Sequence, residues 1–199
     1  MKKVSLLSLL ILFISQTSLA LFEVRAGYGI LASKPNLSNF YSGESPAAVP
    51  NAGLTFDAIA TIPLIGIGGG LRLENMKISA SNSTLEVENQ LNRTALIVNY
   101  RLINTLIYLG PIMTYGLSHS NSIKITSGGT DLSKISSNSV SSYSLGIEAG
   151  ASLLGFLVGA ELGTMTMKYK DAQDSIITSQ KGDLDMSGSY AKIFVGFGI

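Results

Sequence analysis

Phe22-Glu23-Val24-Arg25-Ala26-Gly27-Tyr28-Gly29-Ile30-Leu31 decides the reading of this 199-residue chain. In an extended strand successive side chains point to opposite faces, so Phe22, Val24, Ala26, Tyr28 and Ile30 share one face and Glu23, Arg25, Gly27 and Gly29 the other. Seven further segments divide in the same way: residues 54–62, 67–74, 95–102, 107–116, 143–151, 156–163 and 190–199. Asp57, Arg72, Glu74, Arg101, Glu148, Glu161 and Lys192 all fall on the face opposite the apolar one, and no Asp, Glu, Lys or Arg occurs on the apolar face of any segment. A soluble barrel hides its apolar face; a barrel in lipid turns it outward and keeps charge in the lumen. A charge facing lipid near the midplane costs on the order of 2–4 kcal/mol, which is the penalty such an exclusion avoids. Each segment is close to the roughly 9–11 residues that a tilted strand needs to cross the hydrocarbon layer. The expected fold is all-β, an eight-stranded antiparallel up-and-down transmembrane β-barrel.

Aromatic residues on the apolar face gather at two heights. Phe22, Tyr100, Phe156 and Phe197 lie near one strand end, and Tyr28, Phe56, Tyr115 and Tyr143 near the other. Two such belts match the two membrane interfaces. Connections alternate between tight turns, around Leu64-Ile65, Asn104-Thr105 and Leu154-Gly155, and long loops rich in Ser, Asn, Gly and Thr, at residues 32–53, 75–92, 117–142 and 168–188. With the N-terminus in the periplasm, all four long loops land outside and all three tight turns inside.

The first twenty residues stand apart. Lys2 and Lys3 precede an apolar run over residues 4–14, and Ser18-Leu19-Ala20 offers small residues where a signal peptidase reads, so a signal peptide over 1–20 and a barrel over 21–199 are expected. The apolar core is about half the roughly 20 residues of a spanning helix. Cysteine is absent, which excludes lipoprotein attachment and disulfides. Hydrophobic content is 46% and charged content 14%, and the formal charge of +1 points to no nucleic-acid partner. No cofactor is expected.

The layout resembles the small eight-stranded bacterial outer-membrane proteins, the group of the OmpA transmembrane domain, OmpX and Ail, and the OmpW-like barrels. Two stretches carry the local likeness: Tyr108-Leu109-Gly110-Pro111 through Tyr115-Gly116, and Tyr190-Ala191-Lys192-Ile193-Phe194-Val195-Gly196-Phe197-Gly198-Ile199. The second is similar to the terminal-strand signal read by the barrel assembly machinery, which would make Tyr190, Phe197 and Ile199 the assembly signal. Ile199 stands where such signals commonly end in Phe. Pro111 cannot donate to a sheet and needs a bulge to fit a closed wall. The resemblance implies a protein of the outer membrane, surrounded by its lipid, monomeric and without a nucleic-acid partner.

An eight-stranded barrel leaves an interior just wide enough for side chains to fill. Glu23, Arg25, Asp57, Arg72, Glu74, Arg101, Glu148, Glu161 and Lys192 therefore form a lumenal charge network that plugs it, because unpaired buried charge is costly. Asp57 should face Arg72 across the first tight turn. Glu148 should face Glu161 across the third, with the glycines around them leaving room for a long basic side chain from Lys192, Arg101 or Arg25. The only histidine, His119, lies in Leu117-Ser118-His119-Ser120-Asn121-Ser122, faintly similar to the motif of barrel-type lipid A deacylases. His119 and Ser120 are adjacent and point to opposite faces, so no catalytic pair and no enzyme is expected. Asp171, Asp174, Asp183 and Asp185 lack the spacing of a calcium loop and are interleaved with Lys168, Lys170 and Lys181, and no metal site is expected. The function expected is structural, or recognition and adhesion at the cell surface through four external loops with a possible surface ligand. A narrow pore or transporter for small molecules is the alternative, and a lipid A deacylase the remote one.

Overall fold

A computed structural model of the protein describes residues 21–40, 46–49, 51–62, 65–176 and 181–199; the signal peptide expected over 1–20 lies outside them. The strands are β1 (Phe22–Ser33), β2 (Ala47–Val49), β3 (Asn51–Ile62), β4 (Ile67–Ser81), β5 (Glu86–Tyr100), β6 (Ile103–Asn104), β7 (Ile107–Ser127), β8 (Thr130–Ser136), β9 (Ser139–Leu153), β10 (Phe156–Asp174), β11 (Lys181–Asp185) and β12 (Gly188–Gly198). Eight of them are the staves of a closed antiparallel ring, β1-β3-β4-β5-β7-β9-β10-β12, which returns to β1 through the β1–β12 pairing. The short strands extend this wall: β8 continues β9 upward between β7 and β10, β11 flanks the upper part of β10, and β2 flanks the end of β4.

The residues expected to face lipid do face outward. The girdle at the short-turn end, Phe22, Tyr100, Phe156 and Phe197, and the girdle at the long-hairpin end, Tyr28, Phe56, Tyr115 and Tyr143, are all exposed. Phe156 and Phe197 are direct cross-strand partners with ring centroids 5.3 Å apart, edge to face. At Pro111 the wall is broken on one side only: the ladder with β5 ends at Asn99↔Ile112 and resumes through β6 at Ile103↔Leu109, while the ladder with β9 runs on through Pro111↔Ile147. Three residues, 100–102, stand opposite Gly110 and Pro111, the bulge that a proline in a closed barrel requires.

Two expectations need correction. The first tight connection is not a two-residue turn: Ile62 pairs with Ile67, and the backbone N–H of Gly66 donates to Ile62 O across a four-residue connection. Symmetry about the same centre preserves the register, so Asp57 still faces Arg72. Second, the segments expected as long loops at 75–92, 117–142 and 168–188 are largely strand. Along β4 the outward residues change from Leu71 and Leu73 to Asn75 and Lys77, while the inward ones change from Arg72 and Glu74 to Met76 and Ile78. Backbone and parity continue unbroken while the amphipathic sense reverses, because the outer neighbour changes from lipid to water. β5 and β10 reverse in the same way, their outward residues changing from Leu96 and Leu162 to Asn92 and Lys168, and Leu91 and Met165 join the apolar side chains inside the upper part.

Candidate functional site in the barrel lumen

The inward side chains form two tiers. In the membrane-spanning part five acids meet five bases. Arg25 binds Glu23 (2.7 Å) on its own strand and reaches across the lumen to Glu148 on β9 (2.8 Å). Arg101 joins the same two carboxylates, at 2.7 Å and 3.5 Å, and Asn99 Nδ2 donates to Glu148 Oε1 at 2.5 Å. Arg72 forms a fork on Asp57, with Nε and Nη2 each 2.8 Å from a carboxylate oxygen, and crosses to Glu161 on β10 (2.6 Å). Lys192 bridges those same acids, 3.1 Å from Asp57 and 2.8 Å from Glu161. Arg93 pairs with Glu74 at 2.5 Å. All ten side chains are buried. Aromatic faces complete the packing, Tyr108 lying 4.3 Å from the Arg101 guanidinium and Phe194 4.8 Å from that of Arg25.

The structure thus brings together all nine charged residues singled out from the sequence, and adds Arg93. Arg93 lies just before the start of the expected strand 95–102, but its parity with Asn99 and its register opposite Glu74 were the available signal. Glu148 and Glu161 are direct neighbours, as expected, yet they are neutralised by separate basic pairs, Arg25 with Arg101 and Arg72 with Lys192. The glycines beside them do not admit a basic side chain. A Cβ at Gly150 or Gly159 would strike the Tyr108 hydroxyl, and one at Gly146 would lie 2.6 Å from that of Tyr190, so two tyrosines take that space. At the last strand, Phe197 and Ile199 point outward and Tyr190 points inward, half-buried against Gly146 and Gly163.

Above this tier, in segments expected as loops, the lumen is apolar. Met76, Ile78, Val87, Leu91, Ile123, Ile125, Ile135, Met165, Met167 and Leu184 form one buried cluster. Leu37 and Phe40, from the segment after β1, insert into it, held by a bridge between Asn36 and Asp185 and by Asn39 Nδ2 donating to Asp183 O at 2.8 Å. The acidic loop residues are spent on local structure: Asp171 pairs with Lys181, and Asp174, Asp183 and Asp185 accept backbone N–H groups. Among the described residues no group of three or more His, Asp or Glu could hold a metal.

Between the tiers lies a polar shelf that sequence reasoning missed. A bulge at Leu117, where the pairing steps from Ala95↔Gly116 to Thr94↔Ser118, turns His119 into the lumen and Ser118 and Ser120 outward. His119 Nε2 lies 2.7 Å from Ser142 Oγ, which also accepts from Arg93 Nε at 2.7 Å. With an acceptor site of Ser142 occupied by the guanidinium, its hydroxyl proton is free to donate to the neutral imidazole. Burial, and then the adjacent Arg93, hold His119 below the usual histidine range. A serine does meet the histidine, but it comes from β9, not from 118–122, and nothing local in the sequence announces it. Ser142 is buried, with the apolar tier above it and the charged tier below.

No family model and no curated protein matches the chain. Solved structures do. A major outer membrane protein of Thermus thermophilus superposes with a TM-score of 0.51 at 12% identity, over 89% of this chain and 99% of that one. The fold is that of a bacterial outer-membrane β-barrel. Ail, the attachment invasion locus protein of Yersinia pestis, gives 0.49 at 14% identity over 89% and 97%, and OprG of Pseudomonas aeruginosa 0.45 at 14% over 89% and 95%. The exposed apolar belt between two aromatic girdles, with the membrane-level charge of the described strands inside, is what outer-membrane lipid demands of such a wall.

Proposed function

We propose that this outer-membrane barrel is closed to solutes and acts at the cell surface, through the hairpins that rise above the outer girdle. The doubly sealed lumen carries this reading. Five acids are matched by five bases in one tier, and an apolar cluster without a charged member among the described residues closes the other. A conducting path would have to break cross-lumen ion pairs whose separated partners would remain buried, at a cost of several kcal/mol per ion. Activity is then left to the outside, where β7 runs twenty-one residues and its tip at Ser127 to Thr130 stands clear of the membrane. Loops and tips on a rigid scaffold are where recognition resides. The tips are rich in Ser, Asn, Thr and Lys, a composition suited to polar, hydrogen-bonded contact with a surface ligand.

The test is twofold. Refolded protein in planar bilayers should give no discrete conductance steps, and reproducible steps would replace this reading with a narrow pore. Cells displaying the intact barrel should bind a panel of immobilised glycoproteins and matrix proteins more strongly than cells displaying a barrel trimmed at its hairpin tips. Equal binding would remove the recognition role. The burial of Ser142 inside the lumen argues against hydrolysis, and incubation with lipid A should leave every acyl chain in place.

A further inference from the structure

The outer wall carries a groove that neither the lumen nor the hairpin tips account for. It crosses β3, β4, β5 and β7, with a volume of about 580 Å³. Two rows of directly paired, outward-facing residues build it: Leu54–Asn75–Asn92–Ser120 and Phe56–Leu73–Thr94–Ser118. Each row begins apolar on β3 and ends in hydroxyls on β7, so the groove changes from hydrocarbon-like to sugar-like within the breadth of four strands. Phe56 belongs to the outer girdle, which places the change at the outer membrane interface.

Charge is missing from this surface. Its two ionised lining residues, Glu74 and Arg93, turn their buried side chains inward and pair with each other, and Lys77, one outward position above Asn75, is bound to Glu88. Asn75 Nδ2 donates to Asn92 Oδ1 at 2.7 Å, which leaves Asn75 an acceptor and Asn92 a donor for a ligand. A bed of amides and hydroxyls exchanges hydrogen bonds well with neutral hydroxyls, whereas a phosphate would meet no opposite charge in it. The bulge at Leu117 is what supplies the last wall, since it turns Ser118 and Ser120 outward.

We infer that the groove is a binding site for one glycolipid with an uncharged sugar head, an acyl chain lying along Leu54, Phe56 and Leu73 and the saccharide hydroxyls on Asn75, Asn92, Thr94, Ser118 and Ser120. The ligand class follows from the order of the surface: apolar at the girdle, uncharged and polar just above it, and ionic only beyond.

The protein, refolded in an amine-oxide detergent that has no sugar head, is mixed with an uncharged glycolipid, monoglucosyl diacylglycerol, or with phosphatidylglycerol, and retained lipid is counted by native mass spectrometry. One monoglucosyl diacylglycerol per barrel should be retained, and phosphatidylglycerol should be lost. Asn92→Leu with Ser120→Leu should lower retention at least tenfold, while Ser141→Leu with Thr164→Leu, at exposed sites of similar height outside the groove, should leave it unchanged. All four positions are on the outer surface, and each variant is checked for the compact, heat-modifiable form before comparison. Equal loss in both double variants would mean unspecific contact around the wall, and equal retention of phosphatidylglycerol would mean that the sugar is not read. Either result overturns the assignment, as does unchanged retention in the groove variant.

Discussion

Arg72 shows what one side chain does in a barrel this narrow. Rooted on β4, it grips Asp57 on the adjacent strand and Glu161 on the far wall, so its guanidinium braces the ring across its diameter. Arg72→Met should destabilise by about 3–5 kcal/mol, because Lys192 alone would then face two buried carboxylates. Urea unfolding in lipid vesicles measures this, and adding Glu161→Gln should recover part of the loss. Additive effects would show that the two residues do not act as one cluster. The same logic divides Glu148 from its neighbour Glu161: Arg25→Met should couple to Glu148→Gln and leave Glu161→Gln nearly additive, since the two acids draw on different bases. His119, two residues past the bulge and above the outer girdle, gives a pH signature. Its folded-state value lies below the ordinary 6.5 or so, so near pH 6 the unfolded chain holds more protons and stability falls as pH drops through the ordinary value toward the folded one. A His119→Gln barrel should lose less stability than its parent on acidification from about pH 7.5 to 5.5, and parallel slopes would show that the imidazole is not the responsible group.

At the level of the element, the hairpin between β9 and β10 turns on Leu154 (φ 52°) and Gly155 (φ 85°), both left-handed, the primed geometry that matches strand twist. Glycine accepts that conformation freely. Leucine does not, and its side chain is exposed with no packing to lose. Leu154→Asn should therefore stabilise the barrel by about 0.5–1 kcal/mol in the same urea assay, and an unchanged midpoint would place the strain elsewhere. Membrane-level strands were legible from sequence because charge in lipid is so costly that alternation cannot lapse there: Glu23, Arg25, Asp57 and Lys192 all take the parity that their neighbours dictate. Their upper halves were not legible as strand. In β10 the pattern passes from Leu162 out and Glu161 in to Lys168 out and Met167 in, and a reading tuned to apolar-outside loses the strand at that crossing. The Ser142–His119 contact was hidden for another reason, since it depends on an extra residue at Leu117 that shifts the parity of everything after it.

Seen whole, the molecule is a wall closed on itself, with charge bracing its membrane part and hydrocarbon filling the part above. The turn at Gly128 and Gly129 stands at the far end of the longest hairpin, where a Cβ would meet nothing within 4 Å. A protease-cleavable tag inserted there should leave the fold intact and be cut by protease added to whole cells, whereas a tag near Asn104 should be cut only after the membrane is opened. The reverse pattern would invert the orientation. The bulge at Leu117 carries a consequence for how this gene can drift. Losing a single codon at Gly128 or Gly129 shortens a free tip, but losing the codon for Leu117 exchanges inside and outside for the remainder of β7. Ile123 and Ile125 would be presented to the medium, and Lys124 would be driven into the hydrocarbon tier. Two in-frame deletions of equal size, close together on one strand, would thus meet opposite fates under selection.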